Sequence, residues 1–200
     1  MSLPRRARND RLRRVVASCF LRVALLVAGP LHAQEAADWL SEPAPLATIR
    51  LAAPAANEVV IVVNNNSAGG NHAGMFAGAH LIDPAGSYFG VRSRDKDWTG
   101  PSLPDYVRYQ MVDGNNIRVY RFAMDRPEFE AIQTRMADAG ITPPLFCAAT
   151  VQNIIAGVGP FKELGTVWWT SPSALADALN PVSHGPGTAG VCVMPDESPC

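Results

Sequence analysis

Charge is scarce in this chain. Only 18% of its 200 residues are charged, below the ~25% usual for a globular domain. With a net charge of −1, that excludes an acidic or lysine-rich disordered chain and a coiled coil. Metal-binding spacings are missing as well: there is no Cys-x-x-Cys and no His-Glu-x-x-His, so a zinc centre is not expected. No Gly-x-x-x-x-Gly-Lys-Ser/Thr occurs, and Ser67-Ala68-Gly69-Gly70-Asn71 leads into a strand pattern instead of a helix, which excludes a phosphate cradle. The longest apolar stretch, residues 15–28, is broken by Arg22 and too short for ~30 Å of hydrocarbon. Internal repeats are absent, and no cofactor is expected.

What charge there is falls unevenly. Residues 1–33 hold seven Arg against the single acid Asp10, leaving ten basic and 17 acidic residues, net −7, for the remainder. A body of that sign with no basic stripe argues against nucleic acid as a partner. The basic start, the apolar run and the ending Gly29-Pro30-Leu31-His32-Ala33 have the layout of a secretory signal peptide cut after Ala33. Arg13-Arg14 admits a twin-arginine route. An exported chain, periplasmic or secreted and without a membrane span after cleavage, is therefore expected. Residues 34–57 read as an Ala/Pro-rich linker with a short helix at Ala36 to Leu40. Residues 58–180 read as one domain, and 181–200 as a Gly/Pro-rich tail.

Export sets the redox context, because disulfides persist outside the cytoplasm. Past residue 33 three Cys remain, at 147, 192 and 200, and an odd number leaves one unpaired. Cys192 and Cys200 lie eight apart in a tail with little core of its own, which a disulfide would staple. Cys147 is then the free thiol.

Within the domain, Val59 to Val63 is a continuous β-branched run, the mark of a strand buried on both faces. Two short strands, 71–77 and 80–83, flank Gly78-Ala79 as a hairpin. Residues 90–104 read as loop, Leu103 to Gln110 as a short helix, and Asn116 to Phe122 as an alternating, half-buried strand. Helices are expected over Asp125 to Ala139, with Gly140 as stop, over about Phe146 to Ala156, and over Pro172 to Leu179, with Ser171 or Thr170 as N-cap. A strand at Thr166 to Trp169 completes an α+β chain, with an antiparallel sheet packed against helices.

Pro143 and Pro144 forbid helix immediately upstream, so Cys147 falls at the first turn of its helix. Unpaired N–H groups and the positive end of the helix dipole favour thiolate there. A nucleophilic Cys needs a base, and the base needs an orienting group. His72, opening a strand after a glycine pair, is the base. With the turn centred on Gly78-Ala79, Ala77 faces His80 and Gly74 faces Asp83. His72, Gly74 and Asp83 then share one face, while His80 points to the other, roughly 16 Å along. Asp83 is accordingly the orienter. A one-residue slip in the turn would hand that place to His80, and Asp83 also suits the plain opening of an Asp-Pro turn.

A His on a first core strand, a polar residue on the next, and much later a Cys opening a helix resembles the circularly permuted, papain-like branch of the NlpC/P60 superfamily. The matching pieces are Asn71-His72-Ala73-Gly74-Met75-Phe76, Ile82-Asp83-Pro84, Phe146-Cys147-Ala148-Ala149-Thr150-Val151 and the helix after Thr170-Ser171-Pro172, over residues 58 to 180. Phe146 stands where several such groups carry Asn, and only the Cys147 backbone N–H is assignable to an oxyanion hole. The resemblance implies a thiol hydrolase in which Cys147 attacks an amide or ester carbonyl, His72 shuttles the proton and Asp83 holds the ring. Members act on peptidoglycan or on lipid acyl groups, and export favours the cell wall. The substrate class is thus a cell-wall peptide or another amide or ester. Trp98 and Trp169 are candidates for substrate binding; on a strand Trp168 and Trp169 would face opposite ways, which sends one of them to the core. Two rival classes remain: a non-catalytic exported envelope-binding domain on the same fold, and a lipid acyl hydrolase or acyltransferase.

Overall fold

A computed structural model describes residues 49–140, 142–184 and 187–200. The expected signal peptide, the helix at 36–40 and most of the linker lie outside those residues. Val59 to Val63 form the middle of β1 (Glu58–Asn64), flanked on both sides in a five-stranded antiparallel sheet. The others are β2 (His72–Ala77), β3 (His80–Ile82), β4 (Ile117–Ala123) and β5 (Gly190–Val193), in the order β3-β2-β1-β4-β5. The fold class is α+β.

Every residue of β1 from Val59 to Val63 is buried because the sheet is covered on both faces. Alternation sends Val59, Ile61 and Val63, with Met75, Tyr120 and Phe122, toward three helices: α3 (Arg126–Ala139), α4 (Cys147–Ile155) and α5 (Pro172–Ser183). It sends Val60, Val62, Phe76 and Val119 toward α1 (Ser87–Arg92) and α2 (Leu103–Gln110), through Tyr88, Leu103, Tyr106 and Val107. Period-2 strands that are apolar at every position require this two-sided cover. Ser102 caps α2 by accepting from Asp105 N, and Ser171 caps α5 by accepting from Ala174 N. Gly140, at φ 60°, ends α3.

Four segments depart from the sequence reading. Residues 90–92 are helical, continuing α1 into the stretch read as loop. Thr166 to Trp169 is not a strand. Its backbone is held by side chains of α4: Asn153 accepts from Val167 N at 2.7 Å and donates to Val167 O at 2.8 Å, while Gln152 donates to Gly165 O at 2.9 Å. With Gly165 C=O and both backbone groups of Val167 satisfied this way, those groups need no sheet neighbour. Residues 181–184 and 187–200, read as a Gly/Pro-rich tail, take part in the fold. α5 runs on through Pro181 to Ser183, and β5 pairs with β4. Cys192 and Cys200 are joined by a disulfide as expected. Ile49 and Leu51, placed in the linker, are buried against the second face, and Arg121 donates to the carbonyls of Ala52 and Ala53.

Candidate active site

The hairpin register is the one drawn from the Gly78-Ala79 turn: Ala77 pairs with His80, Phe76 with Leu81 and Met75 with Ile82. His72 and the residue just past β3, Asp83, therefore meet on one face. His72 Nε2 lies 2.6 Å from Asp83 Oδ1, while His80 is exposed at the turn. The backbone carbonyl of Asp83 still closes the Asp-Pro turn, accepting from Gly86 N at 2.8 Å. Turn residue and ring partner are the same residue, through different atoms.

Cys147 is the first residue of α4. The loop leading to it is tied to the Asp83 turn by Thr142, whose N–H and hydroxyl both donate to Pro84 O at 2.9 and 3.1 Å. Leu145, a non-glycine residue at φ 73°, swings the chain into the helix. The thiol arrives beside His72, close enough for each to shift the other's pKa. Since Nε2 is engaged by Asp83, Nδ1 is the nitrogen left for sulfur. Cys147 is reduced, unpaired and only 5% exposed.

Electrostatics follow from that packing. Burial disfavours a charged His72 ring, but its hydrogen bonds to Asp83 and to Cys147, with their charges, outweigh burial and raise its pKa well above the ordinary value. Burial pushes the Cys147 thiol up. The hydrogen bond and charge of His72 overcome this, helped by the backbone N–H groups of Ala73 and Ala148, and the pKa falls below that of an ordinary thiol. Both shifts run in the direction of a thiolate–imidazolium pair, the form in which a cysteine is nucleophilic.

Asp83 is fixed by three donors. Besides His72, Tyr88 N–H donates to Oδ2 at 2.9 Å and the Tyr106 hydroxyl to Oδ1 at 3.4 Å. Neither tyrosine was singled out by sequence. The available signal was Gly74: a glycine inside a strand often marks a close approach, and a Cβ there would sit 2.1 Å from the Tyr106 hydroxyl.

The tryptophans are placed differently from expectation. Trp98 packs into the aromatic cluster of the second face, its ring 6.0 Å from Tyr88 and 6.2 Å from Phe89, because α1 and α2 leave an apolar slot for it. Neither Trp168 nor Trp169 is in the core, since the loop has no buried face; they are 83% and 46% exposed. Trp168, not Trp169, reaches the start of α4, with its ring 6.5 Å from that of Phe146. Leu145, 79% exposed, adds a second apolar group beside the thiol in sequence.

His184, Cys192 and Cys200 bring candidate ligand atoms within 4.8 Å of one another, but both sulfurs are committed to the disulfide. Among the described residues no helix is long and apolar enough to cross a membrane. No family model, curated protein or solved structure matches the chain.

Proposed function

We propose that this chain is an exported thiol hydrolase that cleaves an amide bond in peptidoglycan through Cys147, His72 and Asp83, on a permuted papain-like, NlpC/P60-type fold. The observation that carries this is one imidazole, its side chain 12% exposed, with a carboxylate at 2.6 Å and a free thiol at a helix start beside it. Structural cysteines are inert and need no such partners.

The thiolate attacks the amide carbonyl carbon, and the oxyanion takes the backbone N–H of Cys147. Collapse breaks the C–N bond as the His72 Nδ1 proton passes to the leaving amine. Water then attacks the thioester, giving its proton to His72, and the acid leaves with the thiol restored. Asp83 keeps the ring oriented and stabilises its charge throughout.

A second reading, hydrolysis of a lipid acyl ester, is favoured by two exposed apolar groups: Leu145, two residues before Cys147, and Trp168, with its ring 6.5 Å from that of Phe146. One experiment bears on both. Alkylation of Cys147 by iodoacetamide across pH should give a midpoint below the ~8.5 of a free thiol, rising toward it in His72→Ala. A midpoint near that value in the parent, unmoved by His72→Ala, sinks the hydrolase and leaves an envelope-binding domain. Release of peptide from purified cell-wall fragments, with none of fatty acid from lipid esters, supports the amidase; the opposite result selects the lipid reading.

A further inference from the structure

We propose that Tyr106 is a positioning residue of this site, its hydroxyl holding the Asp83 carboxylate in the orientation that serves His72. The inference rests on the Cys147–His72–Asp83 reading. Its physical basis is the number of directions from which Asp83 is gripped. The carboxylate is fully buried, at the end of a three-residue edge strand that supplies little rigidity of its own. Tyr88 N–H donates to Oδ2 at 2.9 Å and the Tyr106 hydroxyl to Oδ1 at 3.4 Å, so both carboxylate oxygens have a donor besides His72.

Tyr106 is built for that contact. Its ring packs edge-on against Phe76 and Tyr88, at 5.8 and 5.1 Å between centroids, and it is wholly buried. The hydroxyl occupies the space that the missing side chain of Gly74 leaves on β2. Burial first, then the charges of Asp83 and Cys147 and the neighbouring Tyr109, hold its pKa well above that of an ordinary phenol. It therefore stays protonated and remains a donor.

The other ionisable groups near this cluster have their own assignments. Cys147 on α4 and His72 on β2 form the reacting pair, and Asp83 joins them. Tyr88 on α1 donates its hydroxyl to Asp105 on α2, and Arg92 on α1 also pairs with Asp105. The direction of the effect follows from orientation: without the Tyr106 hydroxyl, Tyr88 N–H on Oδ2 is, among the described residues, the one remaining donor besides His72, and the carboxylate can turn away from the ring.

Tyr106→Phe keeps the ring and deletes the donor. Its Cys147 alkylation midpoint should rise by about half a pH unit, about threefold less thiolate below the midpoint. Gly74→Ala, which displaces the hydroxyl without deleting it, should move the midpoint the same way. Leu103→Ala loosens the same helix but leaves the hydroxyl, and should lower the melting temperature with the midpoint unmoved. A parent midpoint near that of a free thiol overturns this inference together with the hydrolase reading. A depressed parent midpoint that Tyr106→Phe leaves in place, or lowers, overturns this inference alone. So does an equal shift in Leu103→Ala.

Discussion

The two edges of the sheet each carry sulfur beside a histidine, and they use it in opposite ways. At the β5 edge Cys192 and Cys200 are joined, and the chain between them folds back, with Met194 N–H donating to Ser198 O and Cys200 N–H to Cys192 O. At the β3 edge Cys147 stays a thiol. The histidines explain the difference better than the sulfurs do. His184 is exposed, and its Nδ1 faces the Ser183 hydroxyl and the Asn180 carbonyl, groups that bring no charge. The His72 side chain is only 12% exposed, with a carboxylate on one nitrogen and the thiol for the other. On the proposed reading, the carboxylate behind His72 is what turns a neighbour of sulfur into a base.

That contrast can be broken most directly by removing Cys147. Cys147→Ser should cut hydrolysis by about 10³-fold or more and abolish alkylation, with little change in melting temperature, as read by peptide release and by the mass of the labelled protein. Turnover retained in Cys147→Ser would end the distinction between the two edges.

Asp83→Asn comes next. Nε2 of His72 would lose its charged acceptor, and turnover should fall by roughly 10²- to 10⁴-fold. The pH dependence sharpens the point. The active form needs thiolate and imidazolium together, so kcat/KM in the parent should be bell-shaped. Its acid limb should lie below the ordinary thiol value, because the Cys147 pKa is lowered, and its alkaline limb above the ordinary histidine value, because that of His72 is raised. In Asp83→Asn the alkaline limb should move down toward the ordinary value. A profile with the same limbs would separate Asp83 from the charge on His72.

The smallest effect on chemistry belongs to the other edge. Cys192→Ser should remove about 2.5 kcal/mol of stability by the loop-closure relation for so short a loop, or roughly 5–10 °C in melting temperature. The alkylation midpoint of Cys147 should not move. A displaced midpoint would mean that the edges are coupled through the sheet.

Legibility in the sequence followed the length over which a pattern could accumulate. The β-branched run 59–63 and the alternation of 117–122 are period-2 signals long enough to read. The turn at Gly78-Ala79 fixed a register, and register alone brought Asp83 to His72. β5 carried no such signal. Four residues, Gly190 to Val193, pair with a strand about 70 positions earlier, and a short edge strand is specified mainly by its partner. The loop at 164–170 misled because Thr166 to Trp169 is rich in β-formers, while the amides of Gln152 and Asn153 that satisfy its backbone lie a dozen or so residues away. Tyr106 was silent for a related reason: its meaning comes from the atom that Gly74 lacks.

The amide clamp on that loop also bears on how this molecule can diversify. Its backbone is tied to side chains of α4 and not to a strand ladder. Lengthening or shortening the chain between Gly165 and Ser171 would shift no strand register, and the surface bearing Trp168 could be rewritten while Cys147, His72 and Asp83 stay in place. Selection can vary what the molecule touches independently of what its thiol does.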